Sequence, residues 1–139
     1  MLDLALSENG TKIGLATSSD EEYPPENIID GKTETFWTMT GLFPQEFVLS
    51  FPSLMEINEI AILCCNVADL RIESSMKSSL DNDDWNFLAE STLPMLESEL
   101  TEEKFLVNAK VQYLRFLILS GHDSFASVHK VTINGTSVR

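Results

Sequence analysis

The chain has 139 residues, enough for one domain around one core, and 43% of them are hydrophobic. Its net charge of −13 opposes binding to nucleic acid or to an anionic membrane surface, both of which are themselves negative. No run approaches the roughly 18 consecutive apolar residues that a membrane helix needs.

From the N-terminus, Leu2, Leu4 and Leu6 alternate with Asp3 and Ala5, which predicts a half-buried strand. No basic region precedes these leucines, so they do not read as a signal peptide. Asn9-Gly10 then marks a turn, and residues 13–17 a short extended piece. The segment from Tyr23 to Trp37 is the densest in signals. Pro24 and Pro25 fix the backbone, and Pro25 suits the first position of a short helical turn. Ile28 and Ile29 are its apolar anchors, and Gly31 can take the left-handed conformation that ends it. Asn27, Asp30, Thr33, Glu34 and Thr35 make an oxygen-rich loop before Phe36 and Trp37 drive the chain into a core. Taken alone, that pattern suits either a hard-cation site or an Asx-type turn that satisfies its own backbone.

Residues 38–44 read as a loop. Phe47, Leu49 and Phe51 alternate as a strand ended by Pro52, and residues 57–65 are apolar on both faces, as in a central strand. Leu70 and Ile72 mark a strand with Arg71 and Glu73 facing outward, and a polar loop follows over residues 76–84. Trp85, Phe87 and Ala89 mark another strand. Residues 92–103 read as a loop with an acidic edge, Phe105 and Val107 as a strand, and residues 112–120 as a strand rich in aromatic and branched side chains. After a loop at 121–126, the last strand runs over residues 128–133 and ends in a second Asn-Gly turn at Asn134-Gly135. Eight or nine short strands separated by turn signals, with almost no helical period, predict a single all-β domain over residues 1–139, an antiparallel β-sandwich or jelly roll.

Catalytic constellations are missing. No Gly-x-Ser-x-Gly elbow, His-Glu-x-x-His or phosphate-cradling loop is present, and the chain reads as a protein without enzymatic activity. His122-Asp123, flanked by Ser120 and Ser124, could supply part of a triad, but neighbours in sequence rarely have triad geometry and a loop histidine is the better reading. Asp81, Asp83 and Asp84 do not continue into an EF-hand, since Trp85 and Asn86 stand where a ligand and a glycine belong. Cys64 and Cys65 are adjacent, point to opposite faces of a strand, and lack metal spacing; free thiols suit a reducing, intracellular setting. The glycosylation sequons at Asn9 and Asn134 are idle there. Between Lys77 and Lys104 lie eight acids and no base, a solvated face or a steering surface for a basic partner.

Three runs carry a resemblance: Ala16-Thr17-Ser18-Ser19-Asp20-Glu21, Pro24-Pro25-Glu26-Asn27-Ile28-Ile29-Asp30-Gly31 and Thr35-Phe36-Trp37-Thr38. They resemble the opening of the galactose-binding-like, discoidin-type jelly rolls. Residues 41–47, Tyr113-Leu114-Arg115-Phe116 and Phe125-Ala126-Ser127-Val128-His129 extend the likeness to a narrower group of that fold, subunits of the ciliary transport machinery. The resemblance implies a structural calcium ion held by Asn27, Asp30 and Thr35, with Asp30 supplying the charge. Many carbohydrate-binding relatives add a glutamate from the last strand; the corresponding position here is Lys130, a cation that would weaken calcium binding. It further implies a non-catalytic adaptor of the cytoplasm and cilium. Its expected partners are a small Rab-like GTPase subunit, intraflagellar transport protein 27, and the larger transport complex B. The alternative is a carbohydrate-binding module of the discoidin type, for which Phe43, His122 and Phe125 are the available loop side chains.

Overall fold

Two long strands carry the architecture. In a computed structural model that describes residues 3–17, 22–40, 43–77, 85–94, 100–122 and 125–138, the strands are β1 (Lys12–Ala16), β2 (Trp37–Thr40), β3 (Gln45–Cys65), β4 (Asp69–Ser75), β5 (Asn86–Thr92), β6 (Thr101–Ile118) and β7 (Phe125–Ser137). All their pairings are antiparallel, in the order β2-β7-β3-β6-β4-β5, with β1 on β3.

β3 and β6 each belong to two layers. Their first contact pairs Gln45 with Ile118 through Ser50 with Tyr113; their second pairs Met55 with Val111 through Cys64 with Thr101. Between the two, the register shifts at residues 50–55, where Pro52 lacks a ladder donor. Gln112 Nε2 spans the gap by donating to Phe51 O at 2.5 Å. One sheet is therefore β1, the first part of β3, the second part of β6, β4 and β5. The other is β2, β7, the second part of β3 and the first part of β6. This is the antiparallel β-sandwich of the jelly-roll class.

The inner faces follow from the period of two. Phe47, Leu49, Leu114, Phe116, Leu70 and Ile72 line one sheet; Trp37, Met39, Ile57, Ile60, Ile62, Val128, Val131 and Ile133 line the other, and all are buried in one cluster. Phe47 and Phe116 are cross-strand partners whose rings stack at 4.7 Å, and Trp37 meets Phe47 edge-on at 5.4 Å, which locks one sheet to the other.

Several local expectations are corrected. Residues 3–6 form an isolated bridge from Asp3 to Asn134 and a turn, not a strand, because Leu4 and Ala5 are both buried instead of alternating. Asp3 Oδ1 accepts from the amides of Ala5 and Ile133 at 3.0 Å and pins this turn to β7. Residues 37–40 form the edge strand β2, a run too short and polar to show a period. Asn134-Gly135 is not a turn but lies inside β7, beside an irregularity at Ile57/Glu59 of β3. The backbones approach so closely there that a Cβ on Gly135 would overlap Glu56 O. Residues 101–103 belong to β6 and not to a loop. The stretch 78–84 with Asp81, Asp83 and Asp84, residues 95–99 of the acidic run, Gly41, Asp123 and Ser124 lie outside the described residues.

Gly135→Ala should therefore force β3 and β7 apart and lower unfolding stability by about 1–3 kcal/mol, the range of overpacking. Urea denaturation measures it; an unchanged midpoint would show that this approach can relax freely.

Candidate functional site

The anchor loop forms as its residues dictate. Pro24 caps a 3₁₀ turn over Pro25–Ile29 with Pro25 in its first position; Ile28 and Ile29 are buried, and Gly31 takes φ of +80°. Asn27 Nδ2 donates to Phe36 O at 3.0 Å, closing the loop across its neck. Asp30 Oδ1 accepts from Lys32 N at 2.8 Å and Oδ2 from Thr35 Oγ1 at 2.5 Å. Asn27, Asp30 and Thr35 thus belong to one hydrogen-bonded loop.

Phe36 does not enter the core, as its sequence context suggested. It is half-buried in a stack between Tyr23, at 4.6 Å, and His129, at 4.9 Å. His129 Nδ1 lies 2.9 Å from Thr33 O; a carbonyl can only accept, so Nδ1 carries the proton. An irregularity at Leu63/Cys64 leaves His129 without a β3 partner and frees it to reach the loop. Sequence reasoning missed this contact, because a bulge on a strand far along the chain leaves no periodic signal.

Asp30 and Gly31 also line a cavity of about 510 Å³ with Asp3, Ser7, Lys130, Thr132 and Asn134. Lys130 therefore faces the same space as Asp30. Asn27, Asp30 and Thr35 offer an amide oxygen, a carboxylate and a hydroxyl, the hard oxygen ligands that calcium prefers to softer ones. In chemistry they fit such an ion. Among the described residues no cluster of three or more His, Cys, Asp or Glu side chains could hold a metal, so a cation here would depend on Asp30 for its charge.

A second polar cluster sits where β4, β5 and β6 end. Asp69 Oδ1 accepts from Thr92 Oγ1 at 2.7 Å, and Oδ2 from Ser120 Oγ at 2.8 Å. These two hydrogen bonds, Thr92 first, hold the Asp69 carboxyl below its ordinary value of 3.8, and His122 adds a weaker pull against the small effect of desolvation. His122 Nε2 lies 2.9 Å from Leu93 O, and Ser120 is engaged by Asp69, so neither is arranged as a base and its nucleophile. Phe43 packs on the core, and nothing is described for the Phe125 side chain. Cys64 is fully buried and Cys65 only partly. Burial, then Cys65 and Glu103, pushes the Cys64 thiol up to about 12, which leaves it protonated and inert.

The F5/8 type C domain family matches residues 14–131. Solved structures repeat the architecture. A Clostridium perfringens module in complex with GalNAc-β-1,3-galactose superposes with TM-score 0.77 at 20% identity, covering 95% of this chain and 99% of that one. The C-terminal domain of a chitobiase from Bacteroides fragilis gives 0.78 at 20% identity, covering 96% and 99%. At those identities the likeness shows the fold alone: a discoidin-like, galactose-binding-type jelly roll.

Curated relatives narrow this class. The Homo sapiens intraflagellar transport protein 25 homolog is 46% identical over 139 residues, 99% of this chain and 94% of that protein. Intraflagellar transport protein 25 of Chlamydomonas reinhardtii is 41% identical over 135 residues, 97% of this chain and 70% of that one. The chain belongs to the intraflagellar transport protein 25 family.

A lowered folded-state pKa for Asp69 stabilises the fold above the unfolded value of 3.8, and that contribution is lost as pH falls through the lowered value. Asp69→Asn, which mimics the protonated acid, should thus melt below wild type at pH 7 and converge with it as pH falls through that lowered value. A constant gap across that range would contradict the assignment.

Proposed function

We propose that the chain is a non-catalytic adaptor of intraflagellar transport complex B in the cytoplasm and cilium, and that it pairs with a small Rab-like GTPase subunit. The observation that carries this reading is the likeness to intraflagellar transport protein 25 over nearly the whole chain in two distant organisms. The shell is compatible with such a role. It buries its aromatic core, keeps both described histidine rings hydrogen-bonded to backbone carbonyls, and carries strong negative charge for a basic partner. Purified chain mixed with the GTPase subunit should comigrate on gel filtration; separate elution at micromolar concentrations would refute the pairing.

The calcium ion belongs to the same proposal. Asn27, Asp30 and Thr35 would hold it, and it would brace the anchor loop against β2 in the folded state only. Lys130, lining the cavity with Asp30, would keep the affinity low. Wild type should melt at a higher temperature in calcium than in chelator. Asp30→Ala should abolish that dependence, and Lys130→Glu should strengthen it. Equal melting of wild type in both solutions would remove the ion from the account.

The carbohydrate-binding alternative rests on neighbours whose likeness is one of fold. Of its loop side chains, Phe43 packs on the core and the His122 ring is hydrogen-bonded to Leu93, which leaves little for a sugar to stack on.

A further inference from the structure

The outer face of the sheet that holds β4 and β5 carries linked ion pairs and aromatic rings. Cross-strand register sets Leu15, Val48, Arg115, Glu73 and Phe87 in one row across β1, β3, β6, β4 and β5. The row below it holds Glu46, Leu117, Arg71 and Glu90. Leu15 is 50% exposed and Phe87 55% exposed, at opposite ends of the first row. Between them a fixed lattice of charge runs. Arg115 pairs with Glu46 and, at 3.2 Å, with Glu73, and Arg71 pairs with Glu73 at 3.1 Å. Arg71 lies over the Phe87 ring at 5.0 Å, and Arg115 over the Trp85 ring at 5.6 Å. Arg115, held by two carboxylates, and Arg71, held by one, each lie over an aromatic ring, and guanidinium groups so placed lose little freedom when a second surface covers them. Arginine and aromatic side chains are also those that concentrate binding energy at interfaces.

Beside this lattice the face opens into a cavity of about 370 Å³ lined by Asp69, Leu70, Glu90, Ser91, Thr92 and Leu119. The pairings Asp69 with Thr92 and Arg71 with Glu90 place Asp69, Glu90 and Thr92 on the outer side, and Leu119 is 42% exposed. Two carboxylates, hydroxyl oxygens and an apolar wall suit the aliphatic stem and cationic head of a lysine or arginine. The charges agree: Glu46 and Glu73 are neutralised by Arg115 and Arg71, Lys12 lies at the far edge opposite Ser50, and Asp69 and Glu90 have no cationic partner among the described ion pairs, so the cavity favours a covering surface that brings positive charge.

We propose that this face is a docking surface for a protein partner that inserts a basic side chain between Asp69 and Glu90 and lays apolar residues over Phe87 and Leu119. The proposal rests on the adaptor reading and assigns that reading a surface. The opposite sheet, where Leu106 is 87% exposed on β6, serves as the internal control.

The test uses the full chain in two arms. In the first, affinity for the Rab-like GTPase subunit is measured by calorimetry for wild type, Glu90→Lys, Phe87→Ala and Leu106→Ser, each checked for folding by circular dichroism. The first two substitutions should weaken binding by about tenfold or more, as for central interface residues, while Leu106→Ser should stay near wild type. Wild-type affinity should also fall as salt rises. In the second arm, tagged chains are expressed in ciliated cells and assembly with named transport-complex subunits is read by immunoblot. If wild type enters the complex without binding the GTPase, the pairing falls, while loss of Glu90→Lys and Phe87→Ala from the complex still supports the surface. If those two variants bind or assemble as wild type, or if Leu106→Ser loses as much as they do, the surface is overturned.

Discussion

The pairing of β3 with β6 is the constraint on which the rest of the structure depends. Each strand is long enough to cross from one sheet to the other, and they cross together, breaking register at the same place, around Pro52. A strand that changes sheets must bend, and a bend costs ladder hydrogen bonds unless another group replaces them. Pro52 has no donor to lose there, and the Gln112 side chain supplies a bond across the gap. With both long strands bent in step, Phe47 and Phe116 can stack within one sheet while Phe47 meets Trp37 from the other. The core is thus a consequence of the shared bend, and neither sheet has a complete inner face without its partner.

The anchor loop inherits its rigidity from that arrangement. It leaves the 3₁₀ turn through buried Ile28 and Ile29 and re-enters the core at Trp37, so both ends are held by apolar packing before any polar contact is made. Asn27, Asp30 and Thr35 then bond within the loop, while Tyr23, Phe36 and His129 close its outer side. The loop is thereby held in one shape, and Lys130 lines the same cavity as Asp30. The cluster around Asp69 is organised by a different logic: two hydroxyls donate to one carboxylate, which lines a cavity with Glu90.

Much of this was legible in the residues, and the exceptions share a cause. Pro24-Pro25, the paired isoleucines and Gly31 specify the 3₁₀ turn locally, and alternation in 47–51, 70–73 and 113–118 reports a sheet with one face buried. What local patterns cannot report is who sits opposite. β3 reads as two strands because Pro52 interrupts it, and β6 because its alternation slips by one residue at Gln112-Tyr113, although the pairing resumes beyond both. Asn134-Gly135 reads as a turn because that dipeptide favours one; in the fold the glycine is needed for close approach to Glu56 and Ile57. Phe36 looks like a core residue until the register at His129 offers it a ring to stack on. Asn27, Asp30 and Thr35 were visible as oxygen donors, but the cavity that Asp30 lines with Asp3 and Lys130 depends on β7 and could not be seen from the loop.

The tightly filled interior requires the two sheets to behave as one body. Native-state hydrogen exchange on the β3–β6 ladder tests this most directly. Amides of residues 45–50 and of residues 59–64 should exchange through the same global opening, with equal free energies that fall together in urea. Independent opening of the two segments, with distinct free energies and denaturant slopes, would show that the shared bend does not couple the sheets and would contradict the account.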